Sequence, residues 1–428
     1  MKFDLLHPRE QLVQIMDRIY RYGLTTTSGG NLSILDDNGD LWITPSAVDK
    51  GNLKPRDIMC VKPDNTIEGP HKPSSEYPFH QTIYQKRPDV RAIVHAHAPA
   101  LTTFSIVRKI PQTRIIPQAH HVCGQVGYAP YALPGSWQLG ENIAEAFAQG
   151  FDTVLLENHG IVTAGPDLLT AFQRLETLDF CARTEIHATG LGPVKVLTKE
   201  QIAQFESRKV GLPPFEPARH SSHERELREA ICRMVHRAYD QRLMTSTEGT
   251  VSARTAGDSF LITPYGIDRK YLEIEDVVLV QNGQAEAGKL PSRATRLHQT
   301  IYADHPEVHC IITAQAPNAM AYAVTDVFFD TKTIPESYIV LRDVPRLPYG
   351  LPHVAPEQVS ATISATAPVI LIENDTVLAV GGSIHQAFDR LEVADFTAFS
   401  LINTRNIGEL VPIGEAEIKD LNEKFFGK

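Results

Sequence analysis

The chain has 428 residues, 42% of them hydrophobic, and a formal charge of -10; it is too long for one ordinary core and apolar enough to fill two, so two domains are expected. The acidic balance, a pI near 5.9 and the lack of a Lys/Arg run exclude nucleic acid and an anionic membrane as the main partner and favour a small molecule. Cys60, Cys123, Cys181, Cys232 and Cys310 are odd in number and form no Cys-x-x-Cys pair, and no apolar leader or spanning stretch is read, so a reduced, cytoplasmic protein is expected.

Residues 9–22 repeat Leu12, Ile15, Met16 and Ile19 at spacings of three and four, which predicts an amphipathic helix ending near Gly23. Thr27 to Asn31 reads as a turn into the strand Leu32–Leu35, joined through Asn38-Gly39 to a second strand, Leu41–Thr44. Tyr77 to Gln85 reads as helix, Arg91 to Ala96 as a buried strand, Gly140 to Gln149 as helix and Val154 to Glu157 as strand. Asp167 to Ala188 is a long helix and Lys199 to Arg208 a short one. Pro213-Pro214-Phe215-Glu216-Pro217 is the best linker, giving domains at 1–212 and 222–428 with a linker at 213–221.

The words of the first half return in the second. His80-Gln81-Thr82-Ile83-Tyr84 recurs as His298-Gln299-Thr300-Ile301-Tyr302, an offset of 218 (298 minus 80), and Ile43-Thr44-Pro45 as Ile262-Thr263-Pro264, an offset of 219 (262 minus 43). Arg174-Leu175-Glu176 recurs as Arg390-Leu391-Glu392, an offset of 216 (390 minus 174). Such a period marks a tandem duplication, not a solenoid.

On a strand, His95 and His97 share a face, and His159, at the end of another strand, can complete a facial site of three imidazoles with one open position, a zinc-catalyst pattern. Glu76 supplies a carboxylate suited to a base beside that metal. Read singly, each histidine has a structural alternative and Ser74-Ser75-Glu76 is also a helix cap. The second copy separates the readings: His95 falls on Thr313, His97 on Gln315, Glu76 on Ala294 and His159 on Asp375, so the site residues are lost together while packing words survive. His80 and His298, shared by both copies, read as structural. The turns at Gly29-Gly30-Asn31 and Ser74-Ser75 can offer backbone N–H groups and hydroxyls to a phosphate; Arg293, Arg296 and Tyr265 fall where the first copy has Ser75, Pro78 and Ser46.

The ordered words Ser-Gly-Gly-Asn (28–31), Ile-Thr-Pro-Ser (43–46), Pro-Ser-Ser-Glu (73–76), His-Ala-His (95–97) and Glu-Asn-His-Gly (157–160) resemble the class II aldolase/adducin family. That family includes L-fuculose-phosphate and L-rhamnulose-phosphate aldolases, ribulose-phosphate 4-epimerases and methylthioribulose-phosphate dehydratases. The resemblance covers residues 8–190 and returns in degenerate form from about 222 to 405.

It implies an α/β fold of two tandem α/β/α sandwich domains, each around a largely antiparallel sheet. It also implies Zn2+ or another divalent metal on His95, His97 and His159, Glu76 as acid/base, and substrate phosphate against Gly30, Asn31, Thr44, Ser46, Ser74 and Ser75. The implied activity is a zinc aldolase that cleaves or forms a ketose phosphate through a metal-bound enediolate. A ketose-1-phosphate dehydratase or an adducin-like non-catalytic assembly module are the alternatives. Glu76 disfavours the epimerases, for which Ser-Ser-Asp is expected. The family's proton-donor tyrosine has no counterpart at Arg114 to Gln118, so either His120 or His121 stands in or the reaction differs. Family rings further imply a homo-oligomer, as a pseudo-fourfold dimer in which a degenerate copy replaces a neighbouring subunit.

Overall fold

The computed structural model describes residues 3–208 and 211–427. Contacts divide them into two compact units. The first runs to Arg183 except for Arg114–Pro117, and the second takes Arg114–Pro117 together with the chain from Thr184 onward. The second therefore includes residues 199–208 and the expected linker, in which Pro214 and Phe215 form a short strand beside Ala285 and Glu286.

In the first unit the strands are β1 (Asn31–Leu35), β2 (Leu41–Ile43), β3 (Met59–Val61), β4 (Ile67–Glu68), β5 (Ala92–Ala96), β6 (Gly127–Ala129), β7 (Thr153–Leu156) and β8 (Gly160–Gly165). They form one sheet in the order β4-β3-β2-β1-β5-β8-β7-β6, antiparallel except where β6 runs parallel to β7. The main helices are α1 (Pro8–Arg21), α2 (Tyr77–Lys86), α3 (Pro99–Ile106), α4 (Pro117–Cys123, from Gln118 in this unit), α5 (Trp137–Ala148) and α6 (Leu168–Leu191, as far as Arg183 in this unit).

Two apolar clusters explain the layering. On one face Leu12, Ile15, Leu101, Phe104, Phe172 and Leu175 from α1, α3 and α6 pack on Leu32, Ala92 and Val94. On the other, Phe79, Ile83, Ile143 and Phe147 from α2 and α5 pack on Ile43, Met59, Ile93 and Val154. With both faces covered, all five residues of β5 are buried, which is why that strand reads as a continuous apolar run rather than an alternation. The β1–β2 connection is longer than the two-residue turn that Asn38-Gly39 suggests. The Asp36 carboxylate accepts from the backbone of Asn38 and Asp40 and from the indole of Trp42, and this side chain organises the loop.

The second unit repeats the scheme. In strand order Gln284–Glu286, Val278–Gln281, Phe260–Ile262, Thr250–Arg254, Cys310–Ala314, Thr376–Gly381, Val369–Ile372 and Arg346–Leu347 reproduce the first sheet, with Pro214–Phe215 added at one edge. All five cysteines are buried and none is in a disulfide among the described residues, and no helix among them is long and apolar enough to cross a membrane.

Phe147 is wholly buried between α5 and the sheet. Phe147→Ala is expected to cost about 3–5 kcal/mol, measured as a lower urea midpoint with an unchanged slope.

Candidate metal centre

The site lies where three strand ends meet. Antiparallel pairing sets Asn31 of β1 opposite His95 of β5, and His95 opposite Val162 of β8. His97 follows just after the strand. His159 belongs to the tight turn from β7 to β8, where Asn158 takes the left-handed conformation (φ 51°), one that Asn tolerates better than most residues. The turn is pinned by Ser105, whose hydroxyl accepts from the His159 backbone at 2.9 Å.

The imidazoles converge. One ligand nitrogen from each of His95, His97 and His159 lies within 4.8 Å of the others, and the Nε2 atoms of His95 and His97 are 3.1 Å apart. Three nitrogens each about 2.1 Å from one tetrahedral ion would be on the order of 3.4 Å apart. The tautomer of His95 is fixed from behind, because its Nδ1 donates to the carbonyl of Ile161 at 2.9 Å, leaving Nε2 as a lone pair aimed inward. Burial, then the charge of His95, push His97 down to about 3 and His159 down to about 4, so both are neutral donors at neutral pH. These residues fit a divalent ion.

Glu76 faces the same point. Its Oε2 is 3.2 Å from His95 Nε2 and its Oε1 3.3 Å from His159 Nε2. Burial alone would raise its pKa, but His95, His159 and a hydrogen bond from Asn31 outweigh burial and hold it well below the usual carboxylate range. The orientation comes through a buried chain. Asn31 Nδ2 donates to Glu76 Oε2 at 2.8 Å, so its Oδ1 accepts from His80 Nε2 at 2.5 Å. His80, held neutral by burial with a pKa near 3, accepts at Nδ1 from Ser33, which bonds Tyr84 in turn, both at 2.7 Å. His80 is thus structural, and what it holds is the catalytic candidate.

The cleft above is lined by Gly30, Asn31, Ser46, Ser74, Ser75 and Glu76, with His97 and His159 at its floor. Gly30 has φ 72°, and a Cβ there would stand 2.7 Å from the His95 carbonyl, so this turn needs glycine to approach the strand. Thr44 does not line the cleft: it is fully buried and its hydroxyl accepts from Leu32 N. Ser74 is occupied as acceptor from Glu76 N, whereas Ser75 is exposed. His120 and His121 lie on helix α4 and do not line the cleft. The lining residue that the sequence reading missed is Lys50, whose ammonium donates to Pro45 O at 2.5 Å and whose pKa is pushed down to about 8 by burial. Its signal is the retained cation at the matching place in the second copy, Arg269.

The sequence model of the Class II Aldolase and Adducin N-terminal domain matches residues 10–186 and again 229–401, so the chain belongs to that family, in tandem. It is 32% identical over 203 residues to the 3-oxo-tetronate 4-phosphate decarboxylase of Escherichia coli K12, spanning 46% of this chain and 95% of that protein. It is 32% identical over 206 residues to the 5-deoxy-D-ribulose 1-phosphate aldolase of Bacillus thuringiensis, spanning 47% and 95%. It is 35% identical over 174 residues to the L-fuculose phosphate aldolase of Methanococcus maripaludis, spanning 40% and 93%.

The geometry predicts one divalent ion per chain. Zinc titration against a competing chelator should show His95→Ala, His97→Ala and His159→Ala each weakening affinity at least a hundredfold, about 2.7 kcal/mol, and Gln315→Ala leaving it unchanged.

Proposed function

We propose that the first unit of this tandem class II aldolase-family chain is a zinc-dependent carbon–carbon lyase that cleaves or forms a ketose phosphate through the enediolate of dihydroxyacetone phosphate. The observation that carries this reading is the convergence of three imidazole nitrogens and the Glu76 carboxylate on one point beneath an open cleft. His95, His97 and His159 would hold a divalent ion, which would supply Lewis acidity toward the substrate carbonyl and the enediolate.

The chain's own residues do the rest. Asn31 fixes Oε2 of Glu76 and leaves Oε1 without a hydrogen-bond partner among the described residues, so Oε1 is the atom that takes or returns the proton at the carbon beside the carbonyl. Ser75 and the Gly29-Gly30 turn offer donors to the phosphate, and Lys50 adds a positive charge at that end of the cleft. In a ketose 1-phosphate the C4 hydroxyl gives up its proton as the bond between C3 and C4 breaks, an aldehyde leaves, and Glu76, which takes up that proton, returns it to C3 of the remaining three-carbon enediolate.

A second reading is supported by the Escherichia coli relative. A four-carbon 2-hydroxy-3-oxo acid 4-phosphate that loses CO2 yields the same three-carbon enediolate, and Glu76 again passes a proton, drawn from water, to the carbon that CO2 has left. The two readings share the site and differ in the leaving group, aldehyde or CO2.

Incubating the zinc-loaded chain with ketose 1-phosphates and with a 3-oxo acid 4-phosphate, and detecting dihydroxyacetone phosphate enzymatically, tests the proposal. Turnover is expected to fall at least a hundredfold in Glu76→Gln; a Glu76→Gln variant as active as the parent would contradict it. Lys50 loses its charge as pH rises through about 8, so KM for the phosphorylated substrate should climb above that pH. In Lys50→Met, KM should be raised several-fold already at pH 7 and lose that pH-dependent step.

A further inference from the structure

The cleft of the first unit has a counterpart in the second that has lost the metal ligands and is still a pocket. Thr313, Asp375 and Ala294 line it at the places of His95, His159 and Glu76. Arg293, at the place of Ser75, lies 4.1 Å from the Phe205 ring centre and 5.2 Å from that of Tyr265, so aromatic faces orient its guanidinium.

Phe205 belongs to helix α7 (Lys199–Glu206), and Arg208, just beyond that helix, reaches into the same pocket. The Arg208 side chain is 9% exposed and its Nη1 is 3.7 Å from Asp375, beyond hydrogen-bond range. Its Nε and Nη2 are buried and have no hydrogen-bond partner among the described residues. These two N–H groups form one edge of the guanidinium, the edge that takes two oxygens of an anion side by side.

Two further features point the same way. The pocket sits at the start of helix α8 (Thr295–Asp304), whose cap position is Ala294 where α2 has Glu76, so the positive helix end has lost the carboxylate that neutralises its counterpart. The Nε2 of His298 also has no hydrogen-bond partner among the described residues, because Thr250 replaces the asparagine that its counterpart His80 reaches. Arg208, Arg269 and Arg293 outnumber Glu248 and Asp375 by one among the lining charges (three minus two). Arg269 is spent on the carbonyls of Gly249 and Ile267 and contributes charge only.

We propose that this cleft is a second, metal-free binding site for a phosphate group, held by the paired N–H edge of Arg208 and by Arg293 at the start of α8. Phosphate is favoured over carboxylate because the paired edge of Arg208, the second positive charge of Arg293 and the helix start together suit a dianion.

Calorimetric titration of the metal-stripped whole chain with dihydroxyacetone phosphate, inorganic phosphate and succinate tests this. The expected result is saturable binding of a phosphate species that persists in Lys50→Met and weakens at least tenfold in Arg208→Gln and Arg293→Gln, with thermal unfolding of both variants unchanged. Arg208→Lys, which keeps the charge and loses the paired edge, should weaken it as well and serves if the glutamine variant folds poorly. Tighter binding of the ester than of inorganic phosphate would identify a sugar phosphate as the ligand, and the reverse order the free ion. Parent-like binding in Arg208→Lys and Arg293→Gln, or heat from succinate alone, would overturn the proposal.

Discussion

The register that places Asn31 opposite His95 on adjacent antiparallel strands is the constraint on which the first site depends. It brings an amide, one of the three converging imidazoles and, through that amide, the Glu76 carboxylate to one end of a sheet buried on both faces. A slip of one residue would turn the set away from the cleft. The hydrogen bonds behind it, from Tyr84 through Ser33, His80 and Asn31 to Glu76, are almost wholly buried. Each link is therefore strongly selected by the cost of leaving its neighbour unsatisfied, about 1–3 kcal/mol per group.

The second unit shows how far that chain belongs to the scaffold. Ser252 bonds His298 and Tyr302 at 2.7 Å, as Ser33 bonds His80 and Tyr84, and Asn374 repeats the left-handed turn residue Asn158. The equivalence stops one residue short of the chemistry, where Thr250 replaces Asn31 and Ala294 replaces Glu76. Packing and turn geometry are shared between the copies, while the three converging imidazoles and the carboxylate are confined to the first. The acidic turn of the first copy thus has an arginine-lined counterpart on an unchanged frame.

The parts of this arrangement that were legible in sequence are those carried by local spacing. His95 and His97 two apart in an apolar run, and the words that return after half the chain, are enough to mark a strand face and a duplication. What was hidden depends on tertiary partners. Thr44 looks like a cleft hydroxyl until its bond to Leu32 N is seen. Lys50 looks like a surface cation but is buried with its ammonium on Pro45 O. His80, shared by both copies, was recognisable as structural, yet nothing local tells that it holds Asn31. His120 and His121 occupy a helix rather than a strand, and a proline-rich stretch with few local hydrogen bonds gains an edge strand only because Gln284–Glu286 offers one.

Proton exchange at C3 of dihydroxyacetone phosphate in D2O, followed by NMR with the zinc-loaded chain, tests the central claim most directly, since it isolates the enediolate half-reaction from the identity of the leaving group. The account predicts zinc-dependent loss of the C3 proton signal that disappears in Glu76→Gln and persists in Asp375→Asn of the second unit. Absence of exchange in a chain shown to hold one zinc ion would contradict it.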